Sequence, residues 1–376
     1  MERVLLIGTA ETKRVELAAL EAALAAHGLA IDPVDTSLGA AGAVLGGAQK
    51  LARMAVRSED AAQEAAARAE GSLAAIAIGG GTGAELALTV LRALPGDLPK
   101  ILITTLAFDP RAALADCGVI LVPTLCDLEG ANTSLAGVFE TTAAMVAGLA
   151  RARPVDLGIS PAIAVSTLGV TGTASAAVAR LLADRGAEAT VFHSNGYGGA
   201  AFARFVREGR AAGVIDLNVH ELGRMRLAGD CVPMPDRFTG AGHLPRVVLP
   251  GGLNFLGLGA IDTLSPDHLS RPNYRHTGYF THVALTQAEM SDQAVALAEA
   301  LNKATGLTHV LIPMGGFSHE DRPGGTIEDP QLREIAANML EAAARAYTVE
   351  RLPHHINAPE TATAAVVALF DRMPHD

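Results

Sequence analysis

Residues 73–93 read LAAIAIGGGTGAELALTVLRA, and their order carries the fold. Leu73 to Ile78 is an apolar run of strand length, of the kind buried in a sheet. Gly79-Gly80-Gly81-Thr82-Gly83 then turns the chain, and Ala84 to Ala93 follows a helical pattern. A strand that ends in glycines and opens a helix presents backbone N–H groups at the helix's positive end, where phosphates and carboxylates bind. Glycine there lets a backbone or a ligand come close, and Thr82 either caps the helix or donates to an anion. The corner is neither a G-x-x-x-x-G-K-[ST] phosphate loop nor a dinucleotide fingerprint. A tight turn without ligand is the other reading.

The same device recurs twice. Leu168-Gly169-Val170-Thr171-Gly172-Thr173 follows the strand-like Ala162–Thr167, and His193-Ser194-Asn195-Gly196-Tyr197-Gly198-Gly199 follows Thr190–Phe192. Three such corners point to a site for an anionic small molecule. Gly8 to Lys13 also leaves a strand, so Lys13 either offers a cation to a phosphate or is simply solvated. In the segment Pro123–Asn132, Asp127 or Asn132 holds a ribose, an amide or Mg²⁺, or caps the next helix.

Outward from these corners the chain alternates strand and helix, the pattern of parallel β-α-β units. Strands are expected at 4–8, 29–34, 73–78, 100–105, 119–122, 162–167, 189–193, 214–217, 246–249, 308–312 and 347–352. The fold class is therefore α/β: two Rossmann-like subdomains with mainly parallel sheets and a ligand cleft between them. Residues 1–153 form the N-terminal subdomain and 162–376 the C-terminal one. Residues 154–161, with Pro154, Gly158 and Pro161 at or beside them, read as a linker. Two stretches, 229–242 and 264–279, look irregular and are candidate lids or interface loops.

Composition sets limits. The 376 residues are 49% hydrophobic, 18% charged and 4% aromatic, fitting folded domains with tight helix-on-sheet packing. A net charge of -11 argues against a nucleic-acid partner, which needs clustered Lys and Arg. Three cysteines without a C-x-x-C pair fit a reducing cytoplasm. No secretory leader and no membrane-length apolar run is visible.

Acid-base candidates gather at strand ends. His193 closes one strand. Asp216 closes another, followed by His220 and Glu221, and His355 lies past the last. Carboxylates near a histidine can move protons or hold Mg²⁺, or can cap a short helix. No spacing matches a zinc pattern, so a metal site is left unassigned.

Taken together these motifs resemble the ATP-binding domain family named after the tomato mosaic virus resistance protein. The resemblance covers nearly the whole chain. It rests on Gly8–Lys13, Gly79–Gly83, Asp127–Asn132, Gly169–Thr171, Phe192–Gly199, Asp216 with Glu221, Asp321–Gly325 and His355–Asn357. It implies a homodimeric two-subdomain protein that binds ATP with Mg²⁺. Matched nucleotide contacts fall on Gly80, Gly81, Thr82, Asp127, Asn132, Thr171, Asn195, Gly196 and Gly198. The chain departs from the family at Asn254, Gly257 and Ala284, where an aspartate, an asparagine and an arginine are usual. Two functions follow as expectations. One is a module binding ATP or a related anion. The other is a catabolic hydrolase, isomerase or lyase for a small carboxylated or phosphorylated metabolite, with Glu221, His193, His220 and His355 as acid-base groups. A structural role with a vestigial site is a third.

Overall fold

The computed structural model describes residues 2–40, 44–152, 162–228, 231–240 and 242–374. The chain forms two compact units, Met1–Val155 and Asp156–Asp376. The expected linker, 154–161, lies outside the described residues.

The first unit runs β1 (Arg3–Gly8), α1 (Arg14–Ala26), β2 (Ala30–Asp35), α2 (Gly47–Arg68), β3 (Ser72–Gly79), α3 (Gly81–Ala93), β4 (Lys100–Thr104), α4 (Arg111–Leu114), β5 (Ile120–Pro123) and α5 (Thr133–Leu149). Its strands form one all-parallel sheet in the order β2-β1-β3-β4-β5. Alternation within β1 shows why helices cover both faces. Val4 and Leu6 pack with Leu20, Leu24 and Phe139 under α1 and α5. Leu5 and Ile7 pack with Ala61, Ala65, Leu88 and Leu91 under α2 and α3. Ile76 and Ile78 are wholly buried, each contributing about 1.5–3 kcal/mol of apolar transfer.

The second unit runs β6 (Ala162–Thr167), α6 (Gly172–Ala183), β7 (Glu188–His193), α7 (Gly198–Arg207), β8 (Gly213–Asn218), α8 (His220–Leu227), β9 (Arg246–Gly251), β10 (Phe255–Leu258), α9 (Pro266–Ser270), β11 (Asn273–Arg275), β12 (Thr281–Ala284), α10 (Gln287–Leu301), β13 (Thr308–Pro313), α11 (Pro330–Ala343), β14 (Tyr347–Leu352) and α12 (Pro359–Phe370). Six parallel strands lie in the order β14-β13-β9-β8-β6-β7, and β10-β12-β11 make a small antiparallel sheet. Both large sheets are doubly wound, as the sequence implies.

Of the two stretches read as irregular, one holds regular elements, while the described part of the other, 231–240, holds neither helix nor strand. Residues 264–279 contain α9 and β11. Among the described residues of 229–242, Arg237 is 1% exposed. It is anchored inward by buried carboxylates rather than free to act as a lid.

In a doubly wound sheet the strand-end loops separate at the point where the winding reverses, leaving a crevice at the carboxyl edge. Here that point falls between β1 and β3 in the first unit and between β6 and β8 in the second.

Candidate functional site

In the first unit the crevice is open. A cavity of about 570 Å³ is lined by Thr9, Glu11, Thr12 and Lys13 after β1, and by Leu38 and Ala40 after β2. Lys50 of α2, Gly79–Gly83 after β3 and Leu86 of α3 complete it. This size is typical of small-molecule sites. The glycine turn is obligatory: a Cβ on Gly79 would lie 2.4 Å from the carbonyl carbon of Gly83. Gly80 is the N-cap of α3 and supplies no side chain to cap it. The first-turn N–H groups of a helix need acceptors from elsewhere, and among the described residues no side chain takes that place.

Two ammonium groups border this helix end. Lys50 Nζ donates to Thr82 Oγ1 at 2.8 Å. Lys13 Nζ donates to the carbonyl of Leu128, and Gly130 N–H donates to Glu16 Oε1 at 2.6 Å. These two contacts tie the Asp127–Asn132 loop to α1. Asp127 and Asn132 are themselves exposed. Asn132 Oδ1 accepts from Leu135 N at 3.0 Å and caps α5, while Asp127 Oδ1 accepts from Leu128 N at 2.7 Å.

Asp35 organises the loops after β1 and β2, accepting from Ala10 N at 3.0 Å, Ser37 N at 3.0 Å and Ser37 Oγ at 2.6 Å. Burial opposes its charge, but these bonds and the nearby Arg57 outweigh it and hold its pKa below the usual carboxylate value. Arg53 donates to the carbonyls of Leu38 and Gly39, both at 3.1 Å. The basic face of α2 thus fixes the β2 loop beside the cavity. A second cavity, of about 490 Å³, lies at the opposite sheet edge, lined by Glu70 and Asp97 but by no cation.

In the second unit the matching helix ends are closed from within. Gly196 N–H and Gly199 N–H donate to Glu221 Oε1 at 2.7 and 3.1 Å. Arg237 Nη1 donates to Glu221 Oε2 at 3.1 Å. Arg237 also donates to Asp216 through Nε at 3.0 Å and Nη2 at 2.7 Å, and Ser166 Oγ donates to Asp216 at 2.5 Å. Desolvation disfavours the Arg237 charge, yet Asp216 and Glu221 overcome it and raise its pKa. At the other corner Ala174 N–H donates to Asn357 Oδ1 at 3.1 Å, and Asn357 Nδ2 donates to the carbonyl of Val170 at 2.9 Å.

The remaining sequence candidates fall into place around these contacts. Thr171 is wholly buried and accepts from Leu168 N at 3.1 Å. Asn195 is exposed. Gly196 has φ +111°, and a Cβ on Gly198 would lie 2.0 Å from the His193 carbonyl oxygen. His193 is exposed, and its carbonyl accepts from Asn195 N at 3.0 Å. His220 is 2% exposed and its Nδ1 donates to the carbonyl of Gly252 at 3.0 Å. His355 donates through Nε2 to the Ser318 carbonyl and accepts at Nδ1 from Asn357 N, both at 3.0 Å. That pairing requires a neutral ring. Burial is the main cause that lowers its pKa.

Sequence reading missed Lys50, which reaches Thr82 from 32 residues earlier in the chain. It also missed Arg237 and the capping role of Asn357, which act across long stretches of chain.

A doubly wound α/β protein of two units, with a cavity at the carboxyl edge of the first unit's sheet, is the class that fold and site define. The chain belongs to the uncharacterised protein family UPF0261: the family's N-terminal domain matches residues 46–155 and its C-terminal domain residues 160–373. A UPF0261 protein of Mesorhizobium japonicum is 33% identical over the full length of both chains. One from Rhizobium meliloti is 30% identical over 99% of each. The ToMV resistance protein Tm-1(GCR237) of Solanum lycopersicum is 30% identical over 80% of this chain and 41% of its own length.

Proposed function

We propose that the protein binds a phosphate-bearing small molecule, ATP or a related nucleotide, in the first-unit crevice. One observation carries this reading: of the three glycine corners, only Gly79–Gly83 leaves its helix N-terminus uncapped, and it does so in a cavity bordered by Lys13 and Lys50. The backbone N–H groups of Gly81 and Thr82 would hold phosphate oxygens, with the two ammonium groups balancing their charge. Mg²⁺, which usually keeps its waters and takes one or two carboxylates beside phosphate oxygens, would find Glu11 in the lining. Among the described residues no three His, Cys, Asp or Glu side chains gather into a metal site of their own.

The enzyme reading has less support. Glu221 is held by backbone N–H groups and Arg237, His220 Nδ1 by the carbonyl of Gly252, and both ring nitrogens of His355 by backbone. Among the described residues no helix is long and apolar enough to cross a membrane.

Calorimetric titration of ATP with Mg²⁺ tests the proposal. Saturable heat with wild type and none with Thr82→Arg is expected. No heat with wild type, or equal heat with the variant, would overturn it.

A further inference from the structure

The second unit has hydrogen-bonding capacity left over, and one group of it, on Asn218, Asn254 and His282, is uncharged. Asn218, Asn254 and His282 are 0%, 1% and 6% exposed. Asn218 Oδ1 accepts from His220 N at 3.1 Å, but its Nδ2 has no partner among the described residues. Neither side-chain atom of Asn254 has one, nor does His282 Nδ1. Buried polar atoms are almost always satisfied, so orphans concentrated in one place ask for a ligand.

These residues share the carboxyl edge of the large sheet and the small sheet beside it. Asn218 ends β8, and Asn254 follows the turn after β9. At Gly252, with φ +67°, a Cβ would lie 3.0 Å from both Asn218 Nδ2 and His220 Cβ. The Phe255 ring lies between two imidazoles, 4.4 Å from His220 and 4.3 Å from His282, and His276 extends the stack at 4.8 Å. Gly257 leaves room for this stack, since a Cβ there would lie 2.9 Å from His220 Nε2.

The two buried carboxylates next along the chain, Asp216 and Glu221, are already taken, since both pair with Arg237. Burial, reinforced by His220 and His276, pushes the His282 pKa down to about 3, so its ring is neutral near pH 7. What remains is a carboxamide able to donate and accept, one further amide donor and a neutral imidazole, all beside an aromatic stack.

We infer that this edge is a recognition site for an uncharged planar molecule with an amide-like N–H and C=O edge, read by Asn254 and Asn218 beside the Phe255 stack. This inference does not depend on the reading of the first-unit crevice. A site built to pair donors with acceptors rejects analogues that leave its buried groups unpaired.

The test uses the full chain with nicotinamide and uracil as probes, and nicotinate and orotate as charged controls. Binding is followed by ¹H–¹⁵N spectra of the asparagine side-chain amides and by thermal melting. At least one neutral probe is expected to shift the Asn218 and Asn254 amide resonances and to bind at least tenfold tighter than its acid. Asn254→Leu is expected to lose that binding at least tenfold without lowering the melting temperature of the free protein. The inference is overturned if neither neutral probe moves those resonances or if the acids bind equally well. It also fails if Asn254→Leu keeps full affinity. Should that variant not fold, the wild-type resonances and the amide-to-acid ratio decide alone.

Discussion

Glu221 sits where an anionic ligand would sit on Gly199: its Oε1 accepts the Gly199 N–H at 3.1 Å and the Gly196 N–H at 2.7 Å. A Cβ on Gly199 would lie 1.9 Å from Glu221 Oε2, so the helix end and the carboxylate are in direct contact. The attraction that lets helix N-termini bind phosphate is here satisfied by the chain itself. This contact separates the second unit's corners, which hold the fold together, from the first unit's corner, which remains available.

Glu221→Gln should therefore cost stability. It keeps the shape but removes one of the two charges facing Arg237; with Asp216 still paired to Arg237, a loss of about 1.5–3 kcal/mol is expected, the scale of a buried hydrogen bond to a charged group. Urea denaturation measures it. A loss below about 1 kcal/mol would mean that Glu221 is not the partner that holds the corner.

Alanine at two glycines should separate structure from binding. Gly199→Ala forces its Cβ into Glu221, Arg237 and Met234 and should prevent stable folding. Gly81→Ala meets only Ala107 Cβ at 3.6 Å, an ordinary contact. It should fold and melt near wild type yet bind ATP more weakly. Circular dichroism melts with calorimetry on both variants check this, and the reverse order would contradict it.

Lys50→Ala should weaken ATP binding by about tenfold, near 1.4 kcal/mol, a usual scale for one phosphate-facing charge-assisted bond. Lys13→Ala should do the same and also lower stability, because Lys13 secures the carbonyl of Leu128. Titrations at 50 and 300 mM salt should show wild-type affinity falling more steeply than that of either variant. Parallel salt dependence would remove the lysines from the site.

Acid should destabilise the second unit through His282. Its folded pKa, about 3, lies below the unfolded value near 6.5. Between those values the unfolded chain binds the extra proton. The stability from keeping this ring neutral is thus fully present above about pH 6.5 and is lost as pH falls towards 3. Relative to His282→Phe, wild type should lose up to about 1.4 kcal/mol per pH unit from pH 6 to 4. Denaturation at each pH checks this, and parallel curves would refute it.

Much of the fold was legible because its signals are local. Leu73–Ile78 followed by Gly79–Gly83 shows a buried strand and a glycine turn within eleven residues, and β1 and β6 announce themselves by similar apolar runs. The small sheet was not legible, since β10, β11 and β12 span only three or four residues each. The state of the corners was hidden for a different reason. Glu221 lies 22 residues from Gly199, and Asn357 lies 183 from Ala174. Only tertiary structure brings those pairs together. Lys50 was overlooked because it reaches the Gly79–Gly83 corner from a polar helix turn 32 residues before Thr82.

The Gly79–Gly83 helix end has no side-chain cap, while the Gly196–Gly199 end is filled by Glu221, and an anion should therefore choose the first. Backbone ¹H–¹⁵N resonances of the labelled full chain, recorded during titration with Mg²⁺-ATP, test it most directly. Saturable shifts are expected at Gly80, Gly81 and Thr82, with Gly196 and Gly199 unmoved. Shifts at Gly196 and Gly199 with Gly81 and Thr82 unmoved would contradict it.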